Sequence, residues 1–125
     1  MAIRHAQEEE WHQALLATFA MTQEFPFMAE PYEWSAQIML GQKKGGQALP
    51  YIEEAYARGS TIQADYLKGA ALAHMGDMQQ AEELLNHVLT ARPGDAKTLG
   101  LLVQIYAQTG RLEEATQLRQ TLRSP

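Results

Sequence analysis

Histidine, carboxylate and lysine are the side chains here that can do chemistry, and their spacing decides whether they do. His5, Glu9 and His12 stand at i, i+4 and i+7, so a helix places all three on one face. Imidazole and carboxylate suit zinc, which takes four such ligands in structural sites. No rigid fourth ligand is visible and the segment is a terminus, so the triplet reads as a solvated helix face. His74 and His87 fall on different helices with no carboxylate at matching spacing, and read as helix-surface or groove histidines. The stretch Gly41-Gln42-Lys43-Lys44-Gly45-Gly46 sets two lysines between glycines. It lacks the Gly-Lys-Ser/Thr signature and the preceding strand of a phosphate loop. No dinucleotide fingerprint and no nucleophile elbow occurs. With no cysteine, the chain has no disulfide framework, no thiol nucleophile and no zinc–thiolate site. Glu8-Glu9-Glu10, Glu53-Glu54 and Glu82-Glu83 read as outward helix charge. No convergent acid–base or nucleophile set emerges. The expectation is a non-enzyme without cofactor or metal.

Charge and hydropathy narrow the partners. Ten basic against fifteen acidic residues give a net charge of −5, and no basic cluster exceeds Lys43-Lys44. A nucleic-acid surface normally shows a basic stripe, so none is expected. No apolar run approaches the roughly 20 residues that span a bilayer. The N-terminus reads Met-Ala-Ile-Arg-His and then turns acidic, unlike a signal peptide. The compartment stays open, with the cytoplasm slightly favoured. At 125 residues and 46% apolar composition, one domain with one continuous core is affordable.

What positions these residues is a repeat. Ala14, Ala48, Ala81 and Ala115 are separated by 34, 33 and 34 residues. Such a period points to stacked helix–turn–helix units. In the last unit Asp95 is an N-cap, Leu99, Leu102, Ile105 and Tyr106 make an apolar face, and Gly110 stops the helix. A second helix follows with Leu112, Ala115, Leu118 and Leu122 on one stripe. The preceding unit runs from Ile62 to Met75, turns at Gly76-Asp77, and continues from Met78 to about Ala91 before Pro93-Gly94. The unit before that is looser: its Gly41–Gly46 connector is long, and Pro50 predicts an irregular start to its second helix. The N-terminal stretch reads as one helix to about Glu24, with Trp11, Leu15, Phe19 and Thr22 on one face. By phase it is a second helix whose first helix is mostly missing. Either it is one continuous helix or the chain is cut from a longer protein, and the second is favoured.

The pattern Gly69, Leu72, Gly76, Ala81, Leu85, Val88, Pro93 resembles the tetratricopeptide repeat family. So does Leu99, Leu102, Tyr106, Gly110, Ala115, Leu122. Tyr32, Met39, Ala48, Ile52 and Ala55 form a weaker copy, and Trp11, Ala14 and Pro26 a half copy. The resemblance implies an all-α fold, a right-handed superhelical solenoid of antiparallel helix pairs, divided at 1–26, 29–60, 62–94 and 96–123. Asp65 and Lys68 depart from it by standing where the family buries large apolar residues. A pair between them, or a small rotation that buries Leu67 and Ala71, accounts for the departure, and the rotation is favoured. The polar Gln117, Arg119, Gln120 and Arg123 read as the outer face of a terminal helix, as at a natural end.

The family places function on the concave side, lined by first helices. Mapped here, that side carries Glu33, Gln37 and Leu40, then Tyr66, Ala70, Ala73 and His74, then Lys97, Gly100, Gln104, Ala107 and Gln108. Gln37, Tyr66, His74, Lys97, Gly100, Gln104 and Gln108 are the candidate peptide-binding residues. Gly100 costs a helix roughly 1 kcal/mol and has no place in the repeat pattern. The trough suits an extended peptide or a helix. A clamp for a C-terminal carboxylate is not expected, because only Lys97 stands in a suitable place. The leading expectation is a protein–protein interaction module. A small secretion-type chaperone, dimerising through an assembly face of Trp11, Leu15 and Phe19, is the alternative. So is a non-catalytic domain of a larger protein.

Overall fold

The computed structural model describes the backbone of residues 2–123 and the side chains of residues 8–122. His5, the first member of the histidine–carboxylate triplet, and Arg123 have side chains outside the described residues. Among the described residues there are seven helices and no strand: α1 (Ala2–Glu24), α2 (Glu30–Gly41), α3 (Gly45–Ala57), α4 (Ile62–His74), α5 (Met78–Ala91), α6 (Ala96–Gln108) and α7 (Leu112–Arg123). None is long and apolar enough to cross a membrane. Helices α2/α3, α4/α5 and α6/α7 pair across short turns, and α4 also packs on α3. This is an all-α helical repeat.

The same turn closes each pair. Gly76 (φ 90°) and Gly110 (φ 83°) sit in the left-handed region after α4 and α6. The following amides, Asp77 N and Arg111 N, reach back to the carbonyls of Leu72 and Tyr106 at 2.9 and 2.8 Å. These are the long back-bonds of a Schellman cap. The Gly41–Gly46 connector uses the same motif and is not loose. Lys43 takes the left-handed position (φ 62°), and Lys44 N donates to Met39 O at 2.9 Å. Only three residues separate α2 from α3. The expected irregular start around Pro50 is also absent. Helix α3 begins at Gly45 and continues through Pro50. The carbonyl that proline leaves without a helical partner is that of Gly46, which is exposed to water and carries no side chain to crowd the ring.

Small residues set how closely the helices approach. Ala48 and Ala81 are fully buried and Ala115 nearly so. Around them lie two apolar clusters. One is built on Ala36, Met39, Ile52, Ala64, Leu67 and Ala71, the other on Leu72, Leu85, Leu102, Val103, Ile105 and Tyr106, with Tyr66 packed against both. Leu67 and Ala71 are buried, as a rotated α4 requires. Asp65 and Lys68 do not pair with each other. Asp65 accepts from the Tyr56 hydroxyl of α3 at 2.5 Å and lies 3.3 Å from His87 Nε2 of α5. Lys68 lies 3.9 Å from Glu53. Polar groups thus replace an apolar plug at the α3–α4–α5 junction. Burial, then the hydrogen bond to Asp65, pushes the Tyr56 phenol far above its ordinary range.

Two arginines tie distant elements. Arg58, at the end of α3, stacks 4.1 Å over Tyr32 and donates to Pro26 O at 2.7 Å, anchoring the α1–α2 turn. Arg111, at the start of α7, forks onto both carboxylate oxygens of Glu82 in α5 and stacks over Tyr106. That fork holds the Glu82 carboxyl below its usual range.

Helix α1 is continuous, and among the described helices it packs on α2 alone. Its packed face is Trp11, Leu15, Thr18 and Thr22. The Thr18 hydroxyl accepts from Ser35 at 2.8 Å and donates to Leu15 O at 3.0 Å, both partly or fully buried. Trp11 lies against Gly41, so close that a Cβ there would meet its ring at 2.7 Å. Phe19 is not on this face and is 62% exposed. The expected assembly face therefore divides: Trp11 and Leu15 are half-buried against α2, and Phe19 points away.

Candidate functional site

The first helices α2, α4 and α6 line an open groove of about 720 Å³. On α4 the lining follows one stripe, Gln63, Tyr66, Leu67, Ala70 and His74, at the three- and four-residue spacing of a helix face. Gln37, Leu40 and Gly41 of α2 form one wall, and Ala96, Lys97 and Leu101 of α6 the other. Arg92 and Asp95, from the turn before α6, complete its rim.

The rim is chemically asymmetric. Asp95 caps α6: its carboxylate accepts from Thr98 N at 3.1 Å and from the Thr98 hydroxyl at 2.5 Å. These bonds, the Thr98 hydroxyl first, hold its carboxyl below the usual range. Arg92 donates to Gln63 at 3.2 Å, and Lys97 forms no direct ion pair among the described residues. Two cations with only one committed carboxylate between them leave this end of the groove locally positive, on a chain of net charge −5. Tyr66 rises from the floor. Burial, and then the negative charge of Asp95, raise its phenol above the ordinary value. His74 is exposed at the far end of the α4 stripe.

Of the seven candidate binding residues, Gln37, Tyr66, His74 and Lys97 line the groove, with Leu40 and Ala70. Gly100, Gln104 and Gln108 do not. The groove runs from the C-terminal half of α2 across α4 to the first two turns of α6; Gln104 and Gln108 lie further along α6, and Gly100, within those turns, is not among the lining residues. Glu33 is turned aside to accept a hydrogen bond from Ser60 at 2.7 Å, and Ala73 packs against the second apolar cluster. Gly100 faces open space, with nothing within 4 Å of where a Cβ would stand. Gly41, Gln63, Leu67, Arg92, Asp95, Ala96 and Leu101 were not expected there. Gln63 and Leu101 sit on the repeat stripe and were legible in principle. Arg92 and Asp95 come from a turn whose sequence signals a chain break and a helix cap, neither of which marks a groove rim.

No group of three or more histidine, aspartate or glutamate side chains that could hold a metal is found among the described residues. The fold defines the class: stacked antiparallel helix pairs of about 34 residues. The tetratricopeptide repeat family matches residues 72–124. The α2/α3 pair before that segment repeats its turn and its buried alanine, so the same helical-repeat fold continues beyond the matched residues. Nine chains among solved structures match it. One, described as a MamA double mutant (MamA RS-1 ArsTM), superposes with a TM-score of 0.75 at 18% identity, over 98% of this chain and 70% of its own. No curated protein matches the sequence.

Proposed function

We propose that this chain is a protein–protein interaction module that binds an extended peptide segment in the α2–α4–α6 groove. The observation that supports it most is the continuous α4 stripe of Tyr66, Ala70 and His74, walled by hydrogen-bonding and cationic side chains from two other helices. A peptide backbone needs donors and acceptors along its length. Gln37, Gln63 and the Tyr66 hydroxyl offer them above a floor of Leu67 and Ala70. Lys97 and Arg92 favour a segment with an acidic side chain near one end, since a cation gains most from a partner that lacks its own counter-ion. The groove is preformed, so binding orders the peptide and not the protein.

Selection of random peptides on the wild-type chain, with counter-selection on Lys97→Glu, tests this. The expected result is a set of peptides enriched in Asp or Glu at one position, weakened by about tenfold or more on Lys97→Glu. Peptides that bind the wild type and Lys97→Glu equally, and Gln37→Ala equally too, would remove the groove as the site.

A further inference from the structure

The repeat supplies its own control for the outer face of each second helix. Counted from the buried alanine, Leu16 of α1 corresponds to Pro50, Glu83 and Gln117, and Phe19 to Glu53, Asn86 and Gln120. In α3, α5 and α7 these positions are exposed and carry proline or a polar side chain. In α1 they are apolar and just as exposed, Leu16 at 55% and Phe19 at 62%. The turn after α1 adds Phe25, Met28 and Phe27, the last 90% exposed. Among the described residues, no first helix covers α1 on the side where α3, α5 and α7 each receive one. Ala14 is accordingly only half-buried, whereas Ala48, Ala81 and Ala115 are covered.

We propose that this end of the stack is a self-association surface, and that its occupant is the same end of a second copy. Three arguments select that occupant. The exposed apolar side chains, with Ala17 and Ala20 between them, offer on the order of 700 Å². That approaches the roughly 800 Å² per partner of a standard stable interface. The opposite end, α7, presents Thr116, Gln117 and Thr121 beside one exposed leucine, Leu112, so head-to-tail stacking would bury mostly polar groups against phenylalanines. An apolar end that meets a mainly polar surface at the other end pairs with itself, and the resulting two-fold contact is closed. The surface also lies away from the α2–α4–α6 groove, so dimerisation leaves both grooves open and makes the assembly bivalent.

Sedimentation equilibrium of the whole chain tests this, at roughly 100 µM, above the micromolar range of modest dimers. The expected mass is twice the 14.0 kDa of one chain. Raising the salt should tighten the dimer, because two copies of charge −5 repel and the contact itself is apolar. Leu16→Glu with Phe19→Glu should run as a single chain with unchanged helix content. Should that pair fail to fold, Phe27→Ser, in the turn, should raise the dissociation constant about tenfold without lowering the melting temperature. Leu112→Glu, an exposed apolar residue at the other end, should leave the dimer intact. A wild-type chain that is monomeric at this concentration overturns the proposal. So does a dimer that survives the α1 and turn variants, or one that Leu112→Glu dissolves.

Discussion

Adding one methyl group at each of two helical glycines should have opposite effects. Gly69 lies within α4 and Gly100 within α6, neither in a left-handed conformation. Alanine in a helix interior is favoured over glycine by about 1 kcal/mol, and both positions gain this. At Gly100 nothing stands within 4 Å of the new Cβ, so the gain is kept. At Gly69 the Cβ meets Cγ and Cδ2 of Leu85 at 3.0 Å. Leu85 is fully buried, and its Cγ is a branch point that cannot swing aside. Overpacking of that kind costs about 1–3 kcal/mol, enough to cancel or reverse the gain. Unfolding entropy for a chain of this length converts 1 kcal/mol into about 4 °C. Gly100→Ala should therefore melt about 2–4 °C above wild type. Gly69→Ala should melt at or several degrees below it. Circular dichroism melts of the three proteins measure this directly. A destabilised Gly100→Ala would refute the open face of α6, and a stabilised Gly69→Ala would refute the close α4–α5 contact.

Three further outcomes follow. Lys43 holds a left-handed conformation that costs a side chain about 1–2 kcal/mol, so Lys43→Gly should raise the melting temperature, and an unchanged melt would contradict the turn geometry. Ala81→Leu inserts bulk where α4 and α5 meet and should destabilise by about 1–3 kcal/mol in a urea titration. The Asp95 and Glu82 carboxyls are both held below their usual values. Their stabilisation is present above the unfolded values near pH 4 and is lost as pH falls through the lower folded values. The melting temperature should be flat from about pH 7 to 5 and fall below about 4, and less steeply in Asp95→Asn with Glu82→Gln.

The sequence conveyed the helices and their phase because burial repeats with them: Ala48, Ala81 and Ala115 are covered where helices cross. It conveyed the Asp95 cap and the Gly76 and Gly110 turns because those conformations demand particular residue types. Lys43 hid the equivalent turn, since a lysine gives no sign of a left-handed backbone. Phe19 was grouped with the face of Trp11 and Leu15 because an amphipathic reading counts apolar residues without knowing which side has a neighbour. The α1–α2 contact is centred on Thr18 and Ser35, polar residues that no hydrophobic pattern selects. The groove was legible on α4, where one helix supplies the whole stripe. On α6 only Lys97 was read correctly, because phase alone does not tell how far successive helices rotate past one another. Gly100 and Gln104 share the stripe and still fall outside the groove.

Amide chemical-shift mapping with a selected acidic peptide tests the central claim most directly. Binding in the groove should shift the amides of Gln37, Gln63, Tyr66, Ala70 and Lys97, and leave the outer faces of α3, α5 and α7 unmoved. Shifts gathered on those outer faces, or on α1 with the groove amides silent, would contradict it.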